Sequence, residues 1–98
     1  MWVKVHSSSR KVIAICDDNL IGKRFEQGLR QLQVTESFFK GQKMSEEEVL
    51  NLMKYEFKAG STFNIVGKDS ISLALKIGII EKEAIVKIKR IPFVIIIN

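Results

Sequence analysis

The chain holds one cysteine, one histidine, one proline, one tryptophan and one tyrosine. A lone Cys16 admits no intramolecular disulfide, which fits a reducing compartment. One Cys and one His cannot supply the four ligands of a structural zinc site. Long apolar runs are also missing. Phe93-Val-Ile-Ile-Ile97 is far shorter than the ~20 residues that span a bilayer. The first residues have neither the charged head nor the apolar middle of a secretory signal. A cytoplasmic protein with no membrane segment is the expectation.

Catalytic and nucleotide motifs are missing too. A P-loop needs Gly-x4-Gly-Lys-Ser/Thr, so that backbone amides cradle phosphate and a hydroxyl meets magnesium. At Gly22-Lys23 the first Gly is replaced by Asp17 and the hydroxyl by Arg24. At Gly67-Lys68 the replacements are Thr62 and Asp69. Cys16 follows an apolar run and precedes two acids, and acids disfavour a thiolate, so it reads as a buried structural Cys. His6 reads as a surface residue of the first strand. No catalytic residue, metal ligand or cofactor site is predicted.

What is present is a basic, aliphatic chain. Its 98 residues favour one domain over 1–98, at 46% hydrophobic and 28% charged, with a formal net charge of +5. The excess is uneven. Residues 1–43 hold eight basic and four acidic side chains, and residues 44–98 hold eight and seven. Such a basic half suits a polyanion.

Along the chain, Trp2-Val-Lys-Val-His6 alternates like a half-buried strand, with Val3 and Val5 inward. Ser7 to Arg10 is a turn. Val12 to Cys16 is apolar throughout and predicts a central strand covered on both faces. Asp17 and Asp18 end it and offer a cap to a helix of one or two turns over 19–26. Leu29 to Val34 alternates as a strand with Leu32 and Val34 inward. Thr35 to Gly41 is a turn, and its Phe38-Phe39 pair beside Lys40 and Lys43 either anchors a loop or stacks on a base. Ser45-Glu-Glu-Glu48 is a capping box opening a helix to about Lys58. Ser61 to Gly67 reads as a strand. Asp69 or Ser70 opens a second helix through about Ile77. Ala84 to Arg90 and Phe93 to Ile97 read as strands, with Pro92 between them. The last of these must be covered, since an open apolar edge aggregates.

These elements make an α+β fold: one small domain in one layer pair, about six mostly antiparallel strands packed with two main helices. Lys4, Lys11, Lys87, Lys89 and Arg90 fall on or beside strands, and Lys23, Arg24 and Arg30 sit in the basic half; of these, Lys4, Lys23, Arg24, Arg30, Lys87 and Lys89 are the candidate nucleic-acid contacts, because phosphate neutralisation needs cations on one surface. Asp17, Asp18 and Asn64 are the candidate ligand contacts, placed where an apolar strand switches abruptly to polar loop.

The order Met1-x-Val-Lys-Val-His6, Ala14-Ile-Cys-Asp-x-x-Leu-Ile-Gly-Lys23, Phe38-Phe-x-Gly41, Asn64-Ile-Val-Gly67 and a terminal Ile-Pro-Phe resembles a family of short archaeal proteins of unknown function. The resemblance covers nearly the whole chain, and Cys-Asp-x-x-Leu-x-Gly-Lys is its most specific part. The ending departs: a Gly-Val-Pro-His-Ala type tail is replaced by Arg90-Ile-Pro-Phe-Val94. The resemblance implies an α+β fold and an archaeal source, and carries no activity. Two main functional expectations result, with an enzyme, which would need a deep pocket of convergent polar groups around Cys16–Asp18, as a third. One is an RNA- or ribosome-associated accessory protein; the other is a protein-interaction or regulatory module, including a homo-oligomer, without catalytic activity.

Overall fold

The apolar run becomes an inner strand. In the computed structural model, which describes residues 1–98, β1 (Trp2–Ser7) and β2 (Lys11–Cys16) form an antiparallel hairpin. β3 (Arg24–Gln27) and β4 (Arg30–Gln33) form a second, separate hairpin. Then come α1 (Glu36–Phe39), β5 (Gln42–Lys43), α2 (Glu46–Lys58), β6 (Thr62–Val66), α3 (Lys68–Lys76), β7 (Val86–Ile88) and β8 (Ile91–Ile96). The main sheet has six strands in the order β5-β1-β2-β6-β8-β7. Only β2 and β6 are parallel; every other pair is antiparallel. The α+β class, the mostly antiparallel sheet and the two main helices are as the sequence predicts.

Alternation along the strands sends side chains to two faces. Val3, Ile13, Ile15, Phe63, Ile65 and Val94 pack with Val49 and Met53 of α2 and Ile71 and Ala74 of α3. Ala14, Cys16 and Val66 pack on the opposite face with Leu20, Leu32, Val34 and Phe39. Two cores therefore flank one sheet, where the sequence reading expected a single layer pair. The extra layer is the β3–β4 hairpin with α1. The same cover explains Trp2 and His6, which are half-buried on the second face. The His6 ring stacks on Phe38 at 4.5 Å, and its Nε2 lies 2.8 Å from the Phe38 carbonyl. Val5, expected inside, is 43% exposed.

The predicted helix over 19–26 does not form. A single 3-10 turn at Asp18–Leu20 is followed by Gly22 at φ 79°, a left-handed conformation that breaks a helix. Gly22 N–H then donates to the Val34 carbonyl at 2.6 Å, and Val34 N–H donates to the Lys23 carbonyl at 2.9 Å. Those two bonds turn the segment into β3. The strand expected over 84–90 is also cut short, because Lys89 and Arg90 form the turn into β8. β8 lies between β6 and β7, but β7 covers only its first half, pairing at Ile91, Pro92 and Phe93, so the cover the sequence calls for is partial.

α2 begins at the expected capping box: Glu48 N–H donates to Ser45 Oγ at 3.2 Å, and Ser45 N–H donates to Glu48 Oε1 at 3.0 Å. Near its other end Glu56 is 4% exposed. It accepts from Lys11 Nζ of β2 at 2.9 Å and from Ser61 Oγ at 2.8 Å. Burial opposes its ionisation, but the Lys11 and Ser61 bonds outweigh it and hold the carboxyl below the usual range. This ion pair ties α2 to the start of β2.

Two outcomes are expected. Ile15→Ala should lower stability by about 3 kcal/mol in urea unfolding, whereas Val5→Ala should change it by less than about 1 kcal/mol. Because the folded-state pKa of Glu56 is depressed, its ionised form stabilises the fold above the ordinary carboxylate pKa. That contribution fades as pH falls below about 4.5 and through the folded value. Urea midpoints of wild type and Glu56→Gln should therefore differ at pH 7 and converge at low pH.

Candidate nucleic-acid interface

The polar switch after β2 sits where β2 and β6 end side by side. Asp17 N–H donates to the Val66 carbonyl at 3.1 Å, extending the parallel pairing by one step. The Asp17 side chain is thereby aimed at the start of α3. It accepts from Asp69 N–H at 3.1 Å, Ser70 N–H at 2.8 Å and Ser70 Oγ at 2.7 Å. The residue at the N-cap position itself is Gly67, which has no side chain to cap with. Its φ of 107° favours glycine, and a Cβ there would collide with the Asp17 carboxylate. Asp17 thus caps α3 from a distant strand, not the 3-10 turn next to it in sequence. An anion at this helix end would meet a site already holding a carboxylate.

Asp18 turns away from this cap. It pairs with the Met1 ammonium at 2.9 Å and Lys43 Nζ at 3.5 Å. The hydrogen bond from the Met1 ammonium, seconded by Lys43, holds its carboxyl below the usual range. Asn64 stands opposite Ala14 and Ile95 in mid-sheet, two residues before Val66, and so is about 7 Å up the strand from the Asp17 end. Cys16 is fully buried, and burial, then Asp17 and Asp18, push its thiol up to about 12. Asp17, Asp18, Asn19, Glu46 and Asp69 line an acidic cleft of about 290 Å³. No group of three or more His, Cys, Asp or Glu is placed to hold a metal ion.

Cations collect elsewhere. The β3–β4 hairpin packs against β7, and Gln27 at its tip accepts from Lys89 N–H at 2.7 Å. Arg30 pairs with Gln27 across that tip. Gln27, Lys89 and Arg90 line one shallow cleft of about 280 Å³. Arg90 and Lys68 of α3 share the lining of a neighbouring cavity of about 120 Å³ with Asp17 and Asn19, so this cavity adjoins the acidic cleft. Arg30, Lys68, Lys87, Lys89 and Arg90 make no ion pair. Lys23 and Arg24 lie at the far end of β3, about 10 Å from the tip, and Arg24 is paired with Glu26. Lys4 is not in this group. It is on β1, separated from β7 by β2, β6 and β8, and donates to the Ser37 carbonyl at 2.8 Å.

The turn carrying two of these cations is strained. Lys89 and Arg90 have φ of 51° and 68°, the left-handed region that a two-residue hairpin turn of this kind demands. Asn-Gly would adopt it freely; a Lys-Arg pair costs about 1–2 kcal/mol per residue. Lys68 is not among the cations the sequence singles out, and Arg90 is read there only as a cation beside a strand, not as part of a turn. The readable signal for Arg90 was two residues between Ile88 and Ile91, but a turn without Gly or Asn hides itself. Lys68 gave none, since its neighbour Arg90 is distant in sequence.

The fold and this surface define a small α+β domain with a mixed six-stranded sheet and a cationic turn. The chain belongs to the family described as Protein of unknown function (DUF424), whose model matches residues 5–98. Its fold is similar to that of an uncharacterized conserved protein from the archaeon Methanopyrus kandleri, with a TM-score of 0.84 and 20% sequence identity. The match covers 97% of this chain and 88% of that one. Comparison with curated proteins gave no match. No helix is long and apolar enough to cross a membrane.

Asp17→Ala should strip α3 of its cap and leave buried Ser70 without its acceptor. A loss of about 2–3 kcal/mol is expected in thermal or urea unfolding. Asp18→Ala, which removes a half-exposed carboxylate, should lose less than about 1 kcal/mol by the same measurement.

Proposed function

We propose that this protein binds RNA through the surface of the β3–β4 hairpin and the β7–β8 turn, as an RNA- or ribosome-associated accessory protein of an archaeal cytoplasm. The observation that carries the reading is the Lys89–Arg90 turn. Both residues are held in a conformation they disfavour, neither has a carboxylate partner, and Gln27 of another hairpin fastens the turn. Strain held at one place in a structure points to use at that place. Lys68 lines the neighbouring cavity with Arg90, and Arg30 stands across the hairpin tip from Gln27, with Lys23 and Arg24 at the other end of β3; Lys87 alternates to the opposite face of the sheet from Ile88 and stands apart from this group. Lys4 is left out by its position. Contacts of this kind read phosphate, not base sequence, so affinity should be broad and salt-dependent. Protein interaction, the second reading, is favoured by a different feature, the open edge of β8.

The test replaces the strained pair with the residues its backbone prefers. Lys89→Asn with Arg90→Gly should raise stability by about 1 kcal/mol or more through relief of the turn. The same variant should weaken binding to single-stranded RNA about tenfold at moderate salt and flatten the log K against log salt slope by about 1.5. Fluorescence anisotropy across a salt series measures both. Unchanged affinity in a stabilised variant would remove the proposal.

A further inference from the structure

We infer that the C-terminal half of β8 is the contact through which two copies of this chain join, strand to strand. The hydrogen-bonding pattern shows which backbone groups are free. β7 pairs with β8 only at Ile91, Pro92 and Phe93, while β6 pairs with it as far as Ile96. Successive residues of a strand turn their N–H and C=O to alternate sides. The Pro92 carbonyl accepts from Gly67 N–H at 2.8 Å on the β6 side. Ile91, Phe93, Ile95 and Ile97 therefore turn theirs toward β7. β7 has ended by Ile95, so the backbone groups of Ile95 and Ile97 face an empty lane. The segment 78–85 runs beside that lane without a hydrogen bond to β8, across a cleft of about 580 Å³.

The lane is apolar. Ile95 of β8 is 55% exposed and Ile97, just past its end, is 71% exposed, and the stretch carries no charge of its own to discourage pairing. A second copy fits it by symmetry. With Ile95 opposite Ile97 of the other copy, an antiparallel pair of β8 strands fills both vacant lanes at once. Each copy's β8 then continues the line of the other's β7, and one sheet runs through both molecules. Charge also matches. Glu81 and Glu83 line the cleft and have no ion-pair partner. The arrangement brings the second copy's unpaired Lys87 to within roughly 10 Å of the end of the cleft, a distance over which opposite charges still attract at moderate salt. The cationic β7–β8 turns stay at the outer ends of the pair, far from one another. This inference does not rest on RNA binding.

Sedimentation velocity from 5 to 500 µM tests it. The wild type should move from monomer to dimer across this range. Ile95→Lys places a charge on an already exposed position, so it should keep the wild-type melting temperature of the monomer and remain monomeric throughout. Lys87→Glu should weaken the dimer several-fold, and adding Glu81→Lys and Glu83→Lys to it should restore association. A wild type that is monomeric at 500 µM would overturn the inference, as would an Ile95→Lys variant that still dimerises. A monomer that instead takes up a synthetic Lys-Val-Lys-Val-Lys-Val peptide at this edge would assign the lane to another chain and overturn it too.

Discussion

One carboxylate sets the geometry of this fold's only parallel junction. Asp17 closes β2, donates its own N–H to β6 and turns its side chain onto the first amides of α3. Three elements that are distant in sequence thus meet at one residue. The helix has no cap of its own, because Gly67 must pass close beneath that carboxylate. The end of a parallel strand pair beside a helix N-terminus is where open α/β sheets often hold anionic ligands. Here the protein's own acid takes that role, and the fold uses for cohesion what others use for binding.

The consequence is a separation of charge. Asp18, Glu46 and Asp69 gather with Asp17 at one cleft, Lys89 and Arg90 stand with Gln27 where the second hairpin meets the β7–β8 turn, and Asp17 and Arg90 share the small cavity between the two. Net charge of +5 is modest when spread over a surface of 6075 Å². It acts more strongly when the cations share a turn and a hairpin tip from which acids are nearly absent. The hairpin that carries Arg30 is also the layer that buries Leu32 and Val34 over Cys16 and Ala14. Packing and placement of charge are therefore one arrangement: the apolar side of β3–β4 fixes where its basic side stands.

Both margins of the main sheet are short. β5 has two residues and β7 three, which limits the backbone offered to other chains. The protection is incomplete beside β8, because β7 stops before β8 does. The loop from α3 into β7 drops Ile80 and Ile85 onto the helical core instead of continuing the strand lane. Filling that core and covering the sheet edge compete for the same residues, and the core has them.

The sequence by itself determined the pieces whose cause is local. Val12–Cys16 had to be an inner strand, since every side chain from Val12 on is apolar and both faces needed cover. Ser45–Glu48 had to open a helix, since its hydroxyl and carboxylate satisfy amides within one turn. Alternation placed Leu32 and Val34 inward. Tertiary structure decided the rest. Gly22 was compatible with a short helix until Val34 supplied the bonds that made β3 a strand. Asp17 looked like a cap for the adjoining turn, and became the cap of a helix fifty residues on. Lys4, Lys68 and Arg90 could be sorted into neighbours and strangers only once strand order was known. Local hydrogen bonds and periodicity are written in adjacent residues. Which surfaces face each other depends on contacts between residues far apart in the chain, and no short window of sequence contains both partners.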